Sequence, residues 1–337
     1  MNRQRRSVGL VLIVGSALWL SACASVQQPW YETQQYRWYY ATSKLKPLWW
    51  YYWTGIDAAH ARARTGAGSR VAIVDTGILF PEDPARANLE PGVELCSGRA
   101  GRAEDKTNGH GTELAGIVGG RVAPANVTKA VAPNATLIPY KVVCGTANAA
   151  VVYRGVERAV TASPRPDVVL LALGPWPGDT DTNGNGVDDL LDLVVGAHPG
   201  TLFVVASVWD ATYFKRPAWT TRPNVILVAA MTTVTIRDGQ TTRDVEVPFN
   251  EKRGDIWAPG RDIETASIDR SPSARPYDEP YLMQGTSAAA AIVAGCAALI
   301  KEATTHTGTQ LRQDVLEASE EAGLPTGRRL KCSKKTS

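Results

Sequence analysis

Three short polar motifs, each flanked by small residues, interrupt the apolar stretches of this chain. Val71-Ala72-Ile73-Val74-Asp75-Thr76-Gly77 puts a carboxylate just past an apolar run. Asn108-Gly109-His110-Gly111-Thr112 puts an imidazole at the start of a helix-like segment, and Gly285-Thr286-Ser287-Ala288 puts a hydroxyl at the start of another. A serine hydroxyl is a poor nucleophile until a base takes its proton, and that base needs a carboxylate to fix its tautomer and stabilise its cationic form. Asp75, His110 and Ser287 have the right types for those three roles. The Ser287 backbone N–H, at a helix start, is placed to face the oxyanion that acyl transfer generates.

A second oxygen-rich stretch reads Asp181-Thr182-Asn183-Gly184-Asn185-Gly186-Val187-Asp188-Asp189-Leu190-Leu191-Asp192. Its spacing offers Asp181, Asn183, Asn185, Asp189 and Asp192 as side-chain ligands at positions 1, 3, 5, 9 and 12, the Val187 carbonyl at 7, and Gly186 for the sharp turn. Hard oxygen donors in that pattern predict a structural calcium loop like that of an EF-hand. Asp at position 12 resembles the dockerin variant. The bland alternative is an Asx-rich turn capping a helix.

The elements that must position these groups alternate from residue 70 onward. Val71 to Val74, Leu137 to Val143, Asp167 to Leu173, Thr201 to Ala206 and Val225 to Ala230 are short apolar runs rich in β-branched residues, as expected of buried parallel strands. Helical stretches are expected at Thr112 to Val122, Ala149 to Ala162, Asp188 to Ala197, Thr286 to Ala303 and Gln310 to Glu321. The pattern predicts an α/β fold with a doubly wound, mainly parallel sheet and helices on both faces, its site at the carboxyl ends of the strands.

Taken together and in the order Asp, His, Ser, the three motifs resemble those of the subtilisin-like serine proteases, the subtilases, from about Tyr52 to Ala322. Trp53-Thr54-Gly55-Ile56-Asp57, Thr65-Gly66-Ala67-Gly68 and Asp255-Ile256-Trp257-Ala258-Pro259-Gly260 extend the likeness. The resemblance implies a three-layer subtilisin-like sandwich in which Asp75 orients, His110 is the general base and Ser287 attacks a scissile carbonyl. It also implies that an extended peptide pairs with backbone near Leu173 and Gly174. Departures from the family pattern are equally plain. Trp209 stands where an oxyanion-binding Asn is expected, Ala172 replaces a Ser, and Ala291 replaces a Pro. The stretch after Cys23 also leaves no room for a large inhibitory prodomain. Loss of an oxyanion donor typically costs ~10²–10³ in turnover.

Address and composition frame this chemistry. Arg3, Arg5 and Arg6 precede an apolar run from Val8 to Leu20 that is short for a membrane span and reads as a secretory signal. Its ending, Leu20-Ser21-Ala22-Cys23, resembles the lipobox of bacterial lipoproteins. That makes residues 1–22 a signal peptide and Cys23 a lipidation site, with an outer-membrane destination facing the periplasm or the surface expected in a Gram-negative source. Residues 23–51 form an aromatic-rich segment, which reads either as membrane- or partner-binding or as a wrap filling grooves of the domain. Residues 52–323 are the expected peptidase domain and 324–337 a solvated basic tail. Of the remaining cysteines, Cys96 and Cys144 are the favoured pair, Cys296 is expected as a buried thiol in an Ala-rich helix, and three pairings are formally open once Cys332 is counted. His60, His198 and His306 lack metal-ligand spacing and are expected to be solvated or locally capped.

The 337 residues are 44% hydrophobic and 20% charged with a formal charge of +3, which describes a globular chain without the footprint of a nucleic-acid binder. No Gly-x-Ser-x-Gly elbow surrounds Ser287, which argues against a lipase. Two readings remain: a lipid-anchored serine endopeptidase acting on peptide or protein substrates, and a degenerate relative that binds a peptide or protein without turning it over.

Overall fold

Strand residues buried on both faces build the centre of the molecule. In the computed structural model, residues 48–79, 87–96, 103–106, 108–120, 129–145, 148–173, 189–207, 218–238, 241–249, 254–266, 268, 281–324 and 327–334 are described. The amino-terminal part carries α1 (Trp49–Trp53), α2 (Ile56–Ala61), β1 (Arg70–Asp75), β2 (Asn88–Leu89), β3 (Val93–Glu94), α3 (His110–Val118) and β4 (Thr136–Lys141). Then come α4 (Ala149–Val160), β5 (Val168–Leu171), α5 (Asp189–Ala197), β6 (Leu202–Ala206), β7 (Val225–Asp238), β8 (Thr241–Pro248) and β9 (Ile256–Pro259). The chain continues through β10 (Ile263–Thr265), β11 (Tyr281–Met283), α6 (Thr286–Thr304), α7 (Gly308–Ala318), β12 (Glu320–Glu321) and β13 (Arg328–Arg329).

Among the described residues the main sheet has the order β12-β13-β9-β7-β6-β5-β1-β4-β2, with β3 also on β4 and β8 on β7. Its interior pairings are parallel, and only β12 with β13 and β7 with β8 run antiparallel. A strand's side chains alternate between faces, and two separate cores follow from that period. Val71, Ile73, Leu170, Val204 and Val228 pack with α6 on one face, while Ala72, Val74, Leu171, Val205 and Leu227 pack with α4 and α5 on the other. The predicted doubly wound α/β class holds. α6 is long and apolar enough to cross a membrane, yet its length is mostly buried inside the protein; it is the core helix.

Three expectations are corrected. The core begins before Tyr52: Trp50 is fully buried, and its indole N–H and the Leu48 N–H both donate to the buried Glu264 carboxylate, at 2.6 and 2.8 Å. The aromatic segment therefore ends as a wrap, at least over residues 48–53. The basic end is not solvated up to Lys334, because Arg329 pairs with Trp257 in the sheet, Leu330 N–H donates to the Trp257 carbonyl, and Lys331 Nζ donates to the Trp53 carbonyl at 2.7 Å. Cys296 is not a free thiol: it is disulfide-bonded to Cys332, which that same tail carries back onto α6. The favoured pair Cys96–Cys144 is present.

Candidate active site

One of the three chemical groups ends a strand of the parallel sheet, and the other two open helices. Asp75 is the last residue of β1 and is fully buried. His110 opens α3 behind Gly109, whose φ of 95° is a conformation that a side chain would strain. Its Nδ1 lies 2.9 and 3.0 Å from the two Asp75 carboxylate oxygens, so Nδ1 carries the proton and donates, leaving Nε2 as the basic nitrogen of the neutral ring. The imidazole is 28% exposed, the carboxylate not at all. Burial pulls the His110 pKa down. The Asp75 charge and hydrogen bond, with Glu113 and Asp105 beyond, outweigh that and push it up to about 9.

The two turns are tied to each other through their threonines. Thr76 Oγ1 accepts the Gly111 N–H at 2.8 Å, and Thr112 Oγ1 accepts the Leu79 N–H at 3.0 Å. The approach is close enough to demand glycine, since a Cβ on Gly111 would sit 2.2 Å from the Gly77 carbonyl oxygen. Thr-Gly after the aspartate and Gly-Thr after the histidine are thus one interlocking contact.

Ser287 lies in the first turn of α6, held over the ends of three strands. Gly285 N–H donates to the Gly260 carbonyl after β9, Thr286 Oγ1 donates to the Ser207 carbonyl after β6, and Ser287 Oγ donates to the Ala172 carbonyl after β5, at 2.7, 2.7 and 3.3 Å. Gly285, with φ 107°, makes the sharp entry into the helix. The serine hydroxyl is therefore directed at the strand that the resemblance assigns to substrate.

Residues 66–329 match the family described as Subtilase family. The chain belongs to the subtilase family. This subtilase is 30% identical over 251 residues to an extracellular serine proteinase of Thermus sp. (strain Rt41A), covering 72% of this chain and 53% of that protein. It is 30% identical over 253 residues to Subtilisin Savinase of Lederbergia lenta, covering 73% of this chain and 80% of that one. A match to a thermostable alkaline protease of Halalkalibacterium halodurans covers 66% of its length, so the chain spans about half to two thirds of the first relatives. Among solved structures it resembles MycP1 with the N-terminal propeptide removed, at TM-score 0.61 and 21% identity, covering 87% of this chain and 97% of that one.

The remaining predicted site residues divide sharply. Leu173 follows Ala172 and packs on the second core, whereas Gly174, Trp209, Cys23, Asp181, Asn183, Asn185 and Val187 lie outside the described residues. Asp189 is placed as the first residue of α5. The Asp192 carboxylate accepts Nε and Nη2 of Arg222 at 2.8 and 2.5 Å, and this pairing holds its pKa below the usual range. A calcium ion at this position would have to share the carboxylate with that guanidinium. Among the described residues no cluster of three metal-ligating side chains occurs.

Sequence reasoning missed Asp105, Glu264 and the partners of His60. The His60 ring accepts from Tyr51 Oη at Nδ1 (2.7 Å) and donates from Nε2 to the Val131 carbonyl (2.8 Å), joining α1 to the segment beneath α3 rather than facing solvent. His306 is exposed, as expected, and meets the nearby Asp314 carboxylate at 2.7 Å. Asp105 in a loop, Glu264 in the three-residue strand β10 and His60 in a short helix carry no sequence signal beyond that of an ordinary polar residue.

Proposed function

We propose that this subtilase is a serine endopeptidase that works through an acyl-enzyme and is held at the outer membrane of the bacterial envelope, facing the periplasm or the surface, by lipid on Cys23. The observation that carries the reading is the buried Asp75 carboxylate on His110 Nδ1, at the same sheet edge where α6 presents Ser287. In the proposed reaction an extended peptide pairs with backbone around Leu173 and Gly174, and Ser287 Oγ turns from the Ala172 carbonyl towards His110 Nε2. His110 takes the hydroxyl proton as oxygen attacks the scissile carbonyl, and Asp75 stabilises the resulting imidazolium. The Ser287 backbone N–H donates to the oxyanion, with the Trp209 indole as the proposed second donor. His110 then protonates the leaving amine, and water, deprotonated by the same imidazole, releases the acyl group. Calcium enters this proposal only as a structural ion, with Asp181, Asn183, Asn185, Val187 and Asp189 as its ligands; Asp192 is already paired.

A second reading, binding of a peptide or partner without turnover, is favoured by one observation: the Ser287 hydroxyl bonds the Ala172 carbonyl. The Asp75 charge and hydrogen bond, which push the His110 pKa up to about 9, disfavour the neutral base in the same direction. Reaction of the protein lacking residues 1–23 with a fluorophosphonate probe separates the readings. The endopeptidase labels at alkaline pH and loses all labelling in Ser287→Ala. A folded protein that labels at no pH between 6 and 10 is the binder. Incorporation of radiolabelled palmitate that disappears in Cys23→Ser tests the anchor.

A further inference from the structure

Asp105 is fully buried in the turn that precedes His110, and its hydrogen bonds among the described residues tie together the two turns of the site. Its Oδ2 accepts from Thr76 Oγ1 at 2.6 Å and from the Gly109 N–H at 2.8 Å, and its Oδ1 accepts from the Asn108 N–H at 3.1 Å. Thr76 Oγ1 in turn accepts the Gly111 N–H, so the peptide N–H groups on either side of His110 both end on the Asp105–Thr76 pair. Thr76 also follows Asp75 directly, and its own N–H donates to Asp75 Oδ1 at 2.7 Å. A carboxylate with no donors of its own is the one side chain of this size that takes all three bonds without a clash of protons.

We infer that Asp105 is a positioning residue that locks the Asp75 turn and the His110 turn into one rigid unit. It touches neither substrate nor the reacting atoms, and the inference rests on the serine-protease reading only for its kinetic arm. Two consequences follow. Asp105→Ala strands three donors and lets the imidazole drift from Asp75, a misplacement of the kind that costs about 10²-fold in rate. Asp105→Asn keeps an oxygen towards Thr76 and Gly109, with only the exposed Asn108 N–H lost, but it removes one of the three carboxylate charges around His110, the others being Asp75 at the end of β1 and Glu113 in α3.

The test combines fluorophosphonate labelling rates against pH with an NMR titration of the His110 ring, assigned by its disappearance in His110→Gln. Expected are a labelling rate about 10²-fold lower in Asp105→Ala at the alkaline plateau, and in Asp105→Asn a rate within about tenfold of the parent, with both the labelling limb and the His110 titration moved to lower pH. A residue that merely stabilises the fold lowers Tm without moving either titration. Should Asp105→Ala fail to fold, Thr76→Val, which breaks the link from Asp105 through Thr76 Oγ1 to the Gly111 N–H, decides. Labelling rates of Asp105→Ala and Thr76→Val equal to the parent's overturn the inference. If the parent never labels, loss of the hydrogen-bonded His110 Nδ1 proton resonance in Asp105→Ala upholds the lock while the endopeptidase reading alone falls, and an unchanged resonance overturns both.

Discussion

The fully buried Asp75 carboxylate meets an imidazole still open to solvent along part of its surface, and that asymmetry sets the pH behaviour of the site. Only neutral His110 can accept a proton, so with a pKa near 9 the labelling of Ser287 should climb with pH through that value. A plateau already reached below pH 7 would contradict this. The same ion pair contributes stability that is whole below the ordinary histidine value of about 6.5 and is lost as pH rises through about 9, because the folded state binds the proton more tightly than the unfolded one. Tm measured between pH 6 and 10 should therefore fall less steeply in His110→Gln than in the parent. Gly111→Ala would drive a methyl into the Gly77 carbonyl and should abolish labelling while leaving much of the sheet's circular dichroism. Asp75, His110 and Ser287 were legible because acyl transfer demands those residue types in small-residue surroundings. Asp105 was not: a loop aspartate acquires meaning only when Thr76, from the distant Asp75 turn, is seen to meet the Asn108 and Gly109 N–H groups on its carboxylate.

At the scale of elements, the five strands β1, β4, β5, β6 and the first half of β7 were readable because each is an apolar run buried on both faces. β2, β3, β12 and β13 are two residues long, too short for any period to register. The hairpin of β7 and β8 was missed because Thr, Arg, Asp and Glu dominate it and only isolated apolar residues such as Val234 and Val247 are buried. Helix α1 was legible only as an aromatic excess; what fixes it is Glu264, from a strand more than two hundred residues away. Glu264→Ala leaves the Trp50 indole and the Leu48 N–H without their buried acceptor and should cost about 1–3 kcal/mol for each lost partner, visible as a fall in the denaturation midpoint. The pairing of Asp192 with Arg222 carries a prediction about calcium as well. Arg222→Ala frees the carboxylate, and calorimetric titration should then show tighter calcium binding than in the parent; equal binding in both proteins would mean the loop takes the ion without Asp192.

Considered as a whole, the domain is closed by its two extremities. Cys332 N–H donates to the Thr54 carbonyl, Arg329 pairs with Glu246 and with Glu320 at 2.8 Å, and the disulfide to Cys296 nails this end to the core helix. A basic, polar sequence gave no hint of such burial, because the charges are consumed by carboxylates brought up from β8 and β12. Cys332→Ser should cost about 2–5 kcal/mol under oxidising conditions, and limited proteolysis should then release the last residues, which the parent protects. The seam between β13 and β9 also dictates an order of events. A chain that emerges amino-terminus first exposes Asp75, His110 and Ser287 while the segment that completes the sheet beside β9 is still to come. Long-range pairing of this kind is slow to form, so all three reactive groups are in the chain before their platform is finished: until residues 328–332 arrive, the sheet beside β9 lacks its final strand.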